Sequence, residues 1–230
     1  MFKNLKIGVR LGLGFGFVLI LLTFISVLAY ARLSVLASSI DGVVNDKFPK
    51  TVIANEIVDQ INVIARALRN SVLARQADVV KKELDRVEEA RKIISGELGK
   101  LEKSITSDEG KKVLNKVLEA RKTYVVDQDH FIALQKAGQK DEAVDLLLST
   151  VRKSQTAYIS AVQDLIVFQS GLMEKDGKQS VEIANNAKQL ILILALSALF
   201  LAVGFAWWVT ISITRPINIA VDAATRLADG

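Results

Sequence analysis

Residues 11–30 read LGLGFGFVLILLTFISVLAY and contain no charged side chain. A run of this length suits an α-helix that crosses a bilayer, because about 20 helical residues span roughly 30 Å of hydrocarbon. A second run, LILILALSALFLAVGFAWWVTISI, occupies residues 190–213. We therefore predict two transmembrane helices, which divide the chain into a short head (1–10), a polar middle segment (31–189) and a tail (214–230).

The first run has to be distinguished from a secretory signal peptide, because Ala29-Tyr30-Ala31 resembles a signal-peptidase site. The apolar part of a signal peptide is about 7–15 residues long, and this run is longer. We therefore predict a retained membrane anchor.

Basic residues set the expected orientation of both helices. Lys3, Lys6 and Arg10 precede the first run without any acidic residue, and Arg215 follows the second. Because Lys and Arg concentrate on the cytoplasmic side of membrane helices, both chain ends are predicted inside. The middle segment, 31–189, is then predicted outside, as one part of a multi-pass membrane protein.

The composition of the middle segment excludes several classes of function. Basic and acidic residues are interspersed there in nearly equal numbers, which is typical of solvated helix faces and not of a nucleic-acid surface. His130 is the only histidine and the chain has no cysteine, so we predict no zinc site. No Ser-His-Asp grouping or pair of catalytic carboxylates stands out, and we expect neither an enzyme nor a cofactor.

The glycine-rich stretch Gly12-Leu13-Gly14-Phe15-Gly16 lies inside the first apolar run. No strand precedes it, so a nucleotide-binding loop is not indicated. Gly12 and Gly16 have the GxxxG spacing that favours close packing of membrane helices.

Apolar residues recur in steps of three and four along the middle segment, which predicts four amphipathic helices. We place these helices at about 50–76, 78–105, 108–137 and from 140 onward. Short connections make successive helices antiparallel, so the predicted fold is all-α: an antiparallel up-down-up-down four-helix bundle flanked by two transmembrane helices.

Individual residues mark the expected helix ends. Pro49 predicts a bend, Asp78 and either Ser107 or Asp108 are predicted N-caps, and Gly138 is predicted to accept positive φ after the third helix. Two core registers remain open for the third helix. One runs through Leu114, Val117, Arg121, Tyr124, Gln128 and Phe131, and the other through Val113, Ala120, Asp127 and Leu134.

Several short motifs accompany this architecture. Ile213-Thr214-Arg215-Pro216-Ile217 follows the second apolar run, and Lys47-Phe48-Pro49 and the stretch 65–70 (ARALRN) lie on the first bundle helix. Together with the two apolar runs they resemble the bacterial methyl-accepting chemotaxis proteins of the four-helix-bundle sensor class. The tail also looks like the opening helix of a HAMP relay domain, through Ala220, Ala224, Leu227, Ala228, Asp229 and Gly230.

The resemblance implies a receptor in the inner membrane with a periplasmic sensor, a homodimer or higher homo-oligomer, and output to a cytoplasmic kinase and adaptor proteins. Methylation helices and a kinase-coupling hairpin do not follow within residues 1–230, so the output is implied only. Sensor histidine kinases use the same outer module and relay, and they remain an alternative.

Polar residues at one height of the bundle suggest where a ligand binds. At about 1.5 Å per residue, they fall roughly 10–28 Å below the predicted tip. These residues are Arg66, Arg69, Arg91, Arg121, Tyr124, Arg152, Thr156 and Tyr158. Guanidinium groups match carboxylate geometry and stay charged, so the band suits a di- or tricarboxylate such as malate or citrate.

Five of these residues are the predicted ligand-binding set. In the aspartate-type chemoreceptors, arginines of the first helix and a threonine of the fourth hold the ligand, which the resemblance carries to Arg66, Arg69 and Thr156. We add Arg121 and Tyr124, because an arginine at a core position is costly unless it is paired. The competing interpretation is that the arginines form ion pairs within the bundle or extend to water. Amino acids and aromatic acids are alternative ligands, and a structural membrane protein that binds nothing small is an alternative function.

Overall fold

The computed structural model describes residues 7–228, and every regular element in that range is helical. The predicted all-α fold is therefore confirmed. The helices are α1 (Ile7–Asp41), α2 (Phe48–Leu73), α3 (Ala77–Ser104), α4 (Asp108–Lys136), α5 (Lys140–Leu146) and α6 (Arg152–Ala228). Two π-helical turns, Gly42–Lys47 and Leu147–Val151, join α1 to α2 and α5 to α6. Lys3 and Lys6, used for the orientation, and Asp229 and Gly230 of the relay motif lie outside the described residues.

The chain forms two compact units, of which Ile40–Lys178 is the helical bundle. The α2–α3 and α4–α5 turns lie at the same end of this bundle, since Lys140 Nζ donates a hydrogen bond to the Ala74 carbonyl at 3.3 Å. At the α3–α4 turn, the Cα of Gly110 faces the ring of Phe168 in α6. Successive helices therefore run antiparallel, as the short connections predicted.

The bundle core consists of the stripes that the three- and four-residue periodicity predicts. Burial of Tyr124, Gln128 and Phe131 settles the register of α4 in favour of the first of the two alternatives. The other fully buried large apolar side chains include Ile57, Ile61, Ile64, Leu68, Val87, Leu101, Val117 and Leu165.

Two of the predicted helix ends are confirmed. Gly138 has φ of 76° after the end of α4, and the Gln139 amide donates to the Leu134 carbonyl at 3.0 Å, which completes a Schellman motif. Ser107 Oγ accepts a hydrogen bond from the Gly110 amide at 3.2 Å, as an N-cap does. The prediction for Asp78 was wrong. Gln76 precedes α3, and Asp78 lies in the first turn, where its charge still favours the helix dipole.

Pro49 does not interrupt the helical path. Proline lacks an amide proton and its ring clashes with the carbonyl four residues earlier, which is why a bend was expected. The wider turn at Gly42–Lys47 absorbs this conflict, with the Phe48 amide donating five residues back to the Val43 carbonyl. Pro49 then occupies the first turn of α2, where its missing amide costs least.

The second unit comprises Met1–Ser39 and Gln179–Gly230. It contains two helical stretches that are long and apolar enough to cross a membrane. They run antiparallel, because Arg10 near the start of α1 donates to the Ser212 carbonyl at the end of the second apolar stretch, at 3.5 Å, while Ala29 and Ile191 line one groove at the other end. Within the described residues Pro216 lies inside α6, which continues to Ala228.

Close packing in this unit involves a different glycine from the predicted pair. A methyl group added at Gly12 or Gly16 would meet no neighbour within contact distance, whereas Gly14 faces the ring of Phe205 so closely that a Cβ would overlap it. Within one chain the close contact is therefore made by the ring of Phe205 against a single glycine, and the packing suggested by the GxxxG spacing of Gly12 and Gly16 stays a prediction.

Candidate functional site

Arg91 of α3 lies across the face of α4 and is held by three hydrogen bonds. Its Nε donates to Gln128 Oε1 at 2.7 Å, and its Nη1 donates to Asp129 Oδ1 at 2.8 Å and to Glu88 Oε1 at 3.1 Å. Only 15% of its side chain is exposed. The remaining terminal nitrogen, Nη2, is buried and has no hydrogen-bond partner among residues 7–228.

Two tyrosines lie in the core of this part of the bundle, and the charge of Arg91 acts on the first of them, Tyr124. The rings of Tyr124 (α4) and Tyr158 (α6) are 6.1 Å apart between centroids and are tilted by 52°. Each tyrosine is 1% exposed, and neither hydroxyl has a hydrogen-bond partner in the described part of the chain. Gln128, one turn along α4 from Tyr124, also leaves its Nε2 without a partner.

We call Arg91, Tyr124, Gln128 and Tyr158 the polar layer. It contains four buried groups that can donate a hydrogen bond, and none of the four has a hydrogen-bond partner of ordinary geometry among the described residues. Buried polar groups in folded proteins are nearly always paired, and an unpaired one costs roughly 1–3 kcal/mol. The missing partners would have to come from ordered water or from a bound molecule.

Three arginines add positive charge to this layer. Burial raises the pKa of Tyr124 well above its usual range, although the nearby Gln128 amide and the charges of Arg91 and Arg69 act to lower it. The Gln128 amide lowers the pKa of Tyr124 from close by, although the two groups do not form a hydrogen bond of ordinary geometry. Burial likewise raises the pKa of Tyr158, against the opposing charge of Arg121. Both hydroxyls therefore stay protonated at neutral pH, beside guanidinium groups from α2, α3 and α4.

The structure brings some of the predicted ligand-binding residues into this region. Tyr124 belongs to the polar layer, and Arg121 is half-buried with its Nη2 donating to Ser95 Oγ of α3 at 2.6 Å. Arg69 is exposed, and its Nε donates to the Ala65 carbonyl of its own helix at 3.1 Å. Its charge still reaches Tyr124.

The other two predicted residues lie on outer faces of the bundle. Arg66 is exposed, two residues from both Ile64 and Leu68 of the core stripe. Thr156 is exposed, two residues from Tyr158, and its hydroxyl donates to the Arg152 carbonyl of its own helix at 2.9 Å. Two residues correspond to about 200° around an α-helix, so both side chains point away from the core. Within one protomer the predicted set is thus not assembled into a single site.

Sequence reasoning left Arg91, Gln128 and Tyr158 out of the predicted set. The pattern did contain a signal, because Arg91 stands between the core residues Val87 and Ile94 with the same spacing as an apolar residue. Gln128 stands likewise between Tyr124 and Phe131. Polar residues at core positions of two facing helices indicate a buried polar site more strongly than an arginine beside an apolar stripe does.

Across residues 7–228, no group of three His, Cys, Asp or Glu side chains is placed to hold a metal ion, and His130 is exposed.

No curated protein sequence matches the chain significantly. The family model of the four helix bundle sensory module for signal transduction matches residues 4–184, which is most of the chain. With the four-helix fold in place, the chain belongs to this family of sensory modules, the sensor class of chemoreceptors.

Proposed function

We propose that this sensory module binds a small organic acid with two or three carboxylates, malate- or citrate-like, and reports it across a membrane. The observation that carries the proposal is the polar layer, in which four buried donors lack acceptors among residues 7–228. An ionised carboxylate accepts hydrogen bonds at both oxygens and donates none, so it complements such a layer.

Positive charge favours an anion over water as the natural occupant. Water both donates and accepts, and it gains little from the charges of Arg69, Arg91 and Arg121 that act on the two tyrosines. A carboxylate gains charge-assisted hydrogen bonds, which are about twice as strong as neutral ones. Arg121 is half-buried between the core and the solvent, so a carboxylate on its way to the polar layer would contact it first.

Arg66, Arg69 and Thr156 form a second proposed set of ligand contacts, which needs a second copy of the chain. These three side chains are exposed in the protomer, so they would enclose a ligand only where another protomer covers them. The same helix α2 also exposes Phe48 and Val52, at 56% and 52%. An outward face with exposed apolar residues at one end and arginines at the other supports a homodimer or higher homo-oligomer through α2.

The two apolar helices support a multi-pass protein of the inner membrane, with the bundle in the periplasm and both termini in the cytoplasm. Arg10 and Arg215 at the ends of the apolar stretches agree with that orientation. We propose that residues 214–230 begin a HAMP relay, which passes the signal to a cytoplasmic kinase and its adaptor proteins. A sensor histidine kinase would share this outer part, and a receptor for amino acids would share the fold.

A thermal-shift screen of the outer segment, residues 32–188, tests the proposal. Malate and citrate are expected to raise the unfolding midpoint in proportion to the logarithm of their concentration above the dissociation constant. Aspartate and serine test the amino-acid alternative, and succinamide, which lacks the charges, is the matched control. If neither acids nor amino acids shift the midpoint, a structural role for the bundle is favoured.

A further inference from the structure

A groove between α1 and α6 combines an apolar lining with two cations. It has a volume of about 300 Å³ and lies entirely within the unit that contains the two apolar helices. Arg32 and Lys188 are its charged lining residues, one from each helix. The remaining lining residues are small or aliphatic: Ala29, Leu33, Leu36, Ile183, Ala184, Ala187 and Ile191.

Both cations stand at the boundary of the apolar stretches. Arg32 follows the first stretch, 11–30, by two residues, and Lys188 precedes the second, 190–213, by two residues. In a bilayer this places their charged groups at the depth of the headgroups, with the apolar part of the groove beginning beside them. This placement rests on the membrane location proposed above.

Neither cation is neutralised within the described residues. Arg32 and Lys188 are both exposed, and no acidic side chain lies within ion-pair distance of either. Glu182, the acidic residue nearest to Lys188 along α6, is not part of the groove lining. The first acidic residue of the chain, Asp41, is more than two helical turns beyond Arg32.

We propose that this groove binds an anionic phospholipid, with its phosphate between Arg32 and Lys188 and an acyl chain along the alanine-lined floor. Charge complementarity selects the phosphate, since each Lys or Arg near a membrane surface strengthens binding of anionic lipid by about fivefold. The apolar floor distinguishes a lipid from a free phosphate ion, which would gain nothing from Ala184, Ala187 or Ile191. The small side chains Ala29, Ala184 and Ala187 leave room for a chain where leucines would fill the space.

The lipid would contact both helices at the same end of their apolar stretches. Any sliding of one helix along the other would therefore change the separation of Arg32 and Lys188 and the fit of the headgroup. The membrane composition would in this way bias the arrangement of the two helices.

Native mass spectrometry of the full chain, reconstituted with equal amounts of phosphatidylglycerol and phosphatidylcholine, tests the proposal. The wild-type chain is expected to retain phosphatidylglycerol preferentially. Arg32→Gln and Lys188→Gln should each reduce this preference about fivefold, and the double variant should abolish it. Lys175→Gln removes an exposed charge of α6 about 20 Å farther from the second apolar stretch and should leave the preference intact.

Two further arms separate a lipid from simpler explanations. Ala187→Phe keeps both cations but places a ring in the groove, so it should also lower retention of phosphatidylglycerol; circular dichroism confirms that the variant is folded. Glycerol 3-phosphate should not displace the lipid at an equal concentration, and displacement would mean that the site recognises the phosphate alone and would overturn the proposal.

The lipid site and the proposed membrane location fail in different ways. A chain that inserts into vesicles but retains both lipids equally, or keeps its preference in the double variant, contradicts the lipid site only. A chain that carbonate extracts from vesicles, with no lipid of either class retained, contradicts the membrane location itself.

Discussion

Arg91 Nε and Gln128 Oε1 are 2.7 Å apart, in a hydrogen bond that joins α3 to α4 inside the bundle. The bond occupies the only acceptor of the Gln128 side chain and leaves its Nε2 without a partner among residues 7–228. Gln128 is fully buried. The pair therefore fixes the relative position of two helices and, at the same time, leaves donors unsatisfied on both side chains.

Removing both members of this pair should cost less stability than the two single removals added together. Arg91→Leu leaves the buried Gln128 amide without any partner, so we expect the free energy of unfolding to fall by about 1.5–3 kcal/mol. Gln128→Leu should behave similarly. In the double variant two apolar side chains meet, and the loss should be smaller than the sum of the single losses. Urea denaturation of residues 32–188 measures the coupling, and additive losses would show that the bond contributes little.

Replacing Tyr158 by phenylalanine should separate folding from binding. The change removes a buried hydroxyl that has no partner within the described residues, so the ligand-free bundle should lose no stability and could gain up to about 1 kcal/mol. Carboxylate affinity should fall by roughly tenfold or more, because the hydroxyl's charge-assisted hydrogen bond to the ionised ligand is lost. Calorimetric titration and urea denaturation provide the two measurements.

Thr123→Val is the control for the tyrosine variant, because Thr123 is an exposed residue of α4 whose hydroxyl bonds to its own helix. Thr123→Val should change neither the free energy of unfolding nor the carboxylate affinity appreciably. A Tyr158→Phe bundle that is clearly less stable would mean that the hydroxyl is paired in solution.

The two buried tyrosines should make the bundle unstable in alkali. An unfolded tyrosine ionises near pH 10, whereas burial raises the pKa of Tyr124 and Tyr158 in the folded state. The unfolded chain therefore binds fewer protons above pH 10, and stability should fall as the pH rises from there towards the folded-state values. Below pH 10 the two residues should contribute no pH dependence.

The variant Tyr124→Phe/Tyr158→Phe isolates this effect from the titration of lysines. Its stability should decline less steeply than that of the wild type between about pH 10 and 11.5, as measured by urea midpoints. Tyrosinate absorbance should rise with unfolding in the wild-type bundle, and ionisation of both residues before unfolding would contradict the argument.

Arginine variants test the proposed carboxylate contacts. Arg66→Ala, Arg69→Ala and Arg121→Ala should each weaken binding of the best dicarboxylate or tricarboxylate by roughly ten- to a hundredfold, the effect of losing one charge-assisted hydrogen bond. Arg86→Ala, which breaks a partly exposed pair with Glu83, is the matched control. Unchanged affinity in all three variants would move the site elsewhere and leave these arginines as contributors to bundle structure.

Gly138 and Gly96 should respond in opposite directions to alanine. Gly138 has φ of 76° in the turn after α4, so Gly138→Ala should destabilise the bundle by about 1–2 kcal/mol. Gly96 lies in the middle of α3 with open space around it, and Gly96→Ala should stabilise by about 0.5–1 kcal/mol. Thermal unfolding of the two variants compares them directly, and equal effects would contradict the assigned conformation of Gly138.

Local sequence patterns predict most of the fold. The stripe through Ile57, Ile61 and Ile64 needs only 3.6-residue periodicity, and Gly138 needs only its conformational freedom, so both could be recognised without knowledge of other helices. The two π-helical turns could not be recognised in this way. A hydrogen bond to the carbonyl five residues back differs from one to the carbonyl four residues back by a small energy that depends on packing. Asp78 shows the same limit, since several neighbouring residues could begin α3.

The candidate site was less predictable because it depends on contacts between distant parts of the chain. Arg91 and Gln128 are 37 residues apart, and their pairing requires the relative height of α3 and α4 to within one turn. Counting residues from the tip placed Arg91, Tyr124 and Tyr158 in one band but could not decide which side chains face inward. Arg66 and Thr156 fell in the same band and face outward.

The π-helical turn at Gly42–Lys47 also affects how the chain can be recombined with others. A π turn is equivalent to one extra residue in an α-helix, which rotates everything beyond it by about 100°. Relatives with one residue fewer here would keep both flanking helices but change the phase between them. A chimera that takes its bundle from the present chain keeps this phase when the junction lies on the α1 side of Gly42. When the junction lies after Lys47, the phase comes from the other protein. The choice of junction, and not only the domains exchanged, should therefore decide whether a hybrid receptor is active, inactive or locked.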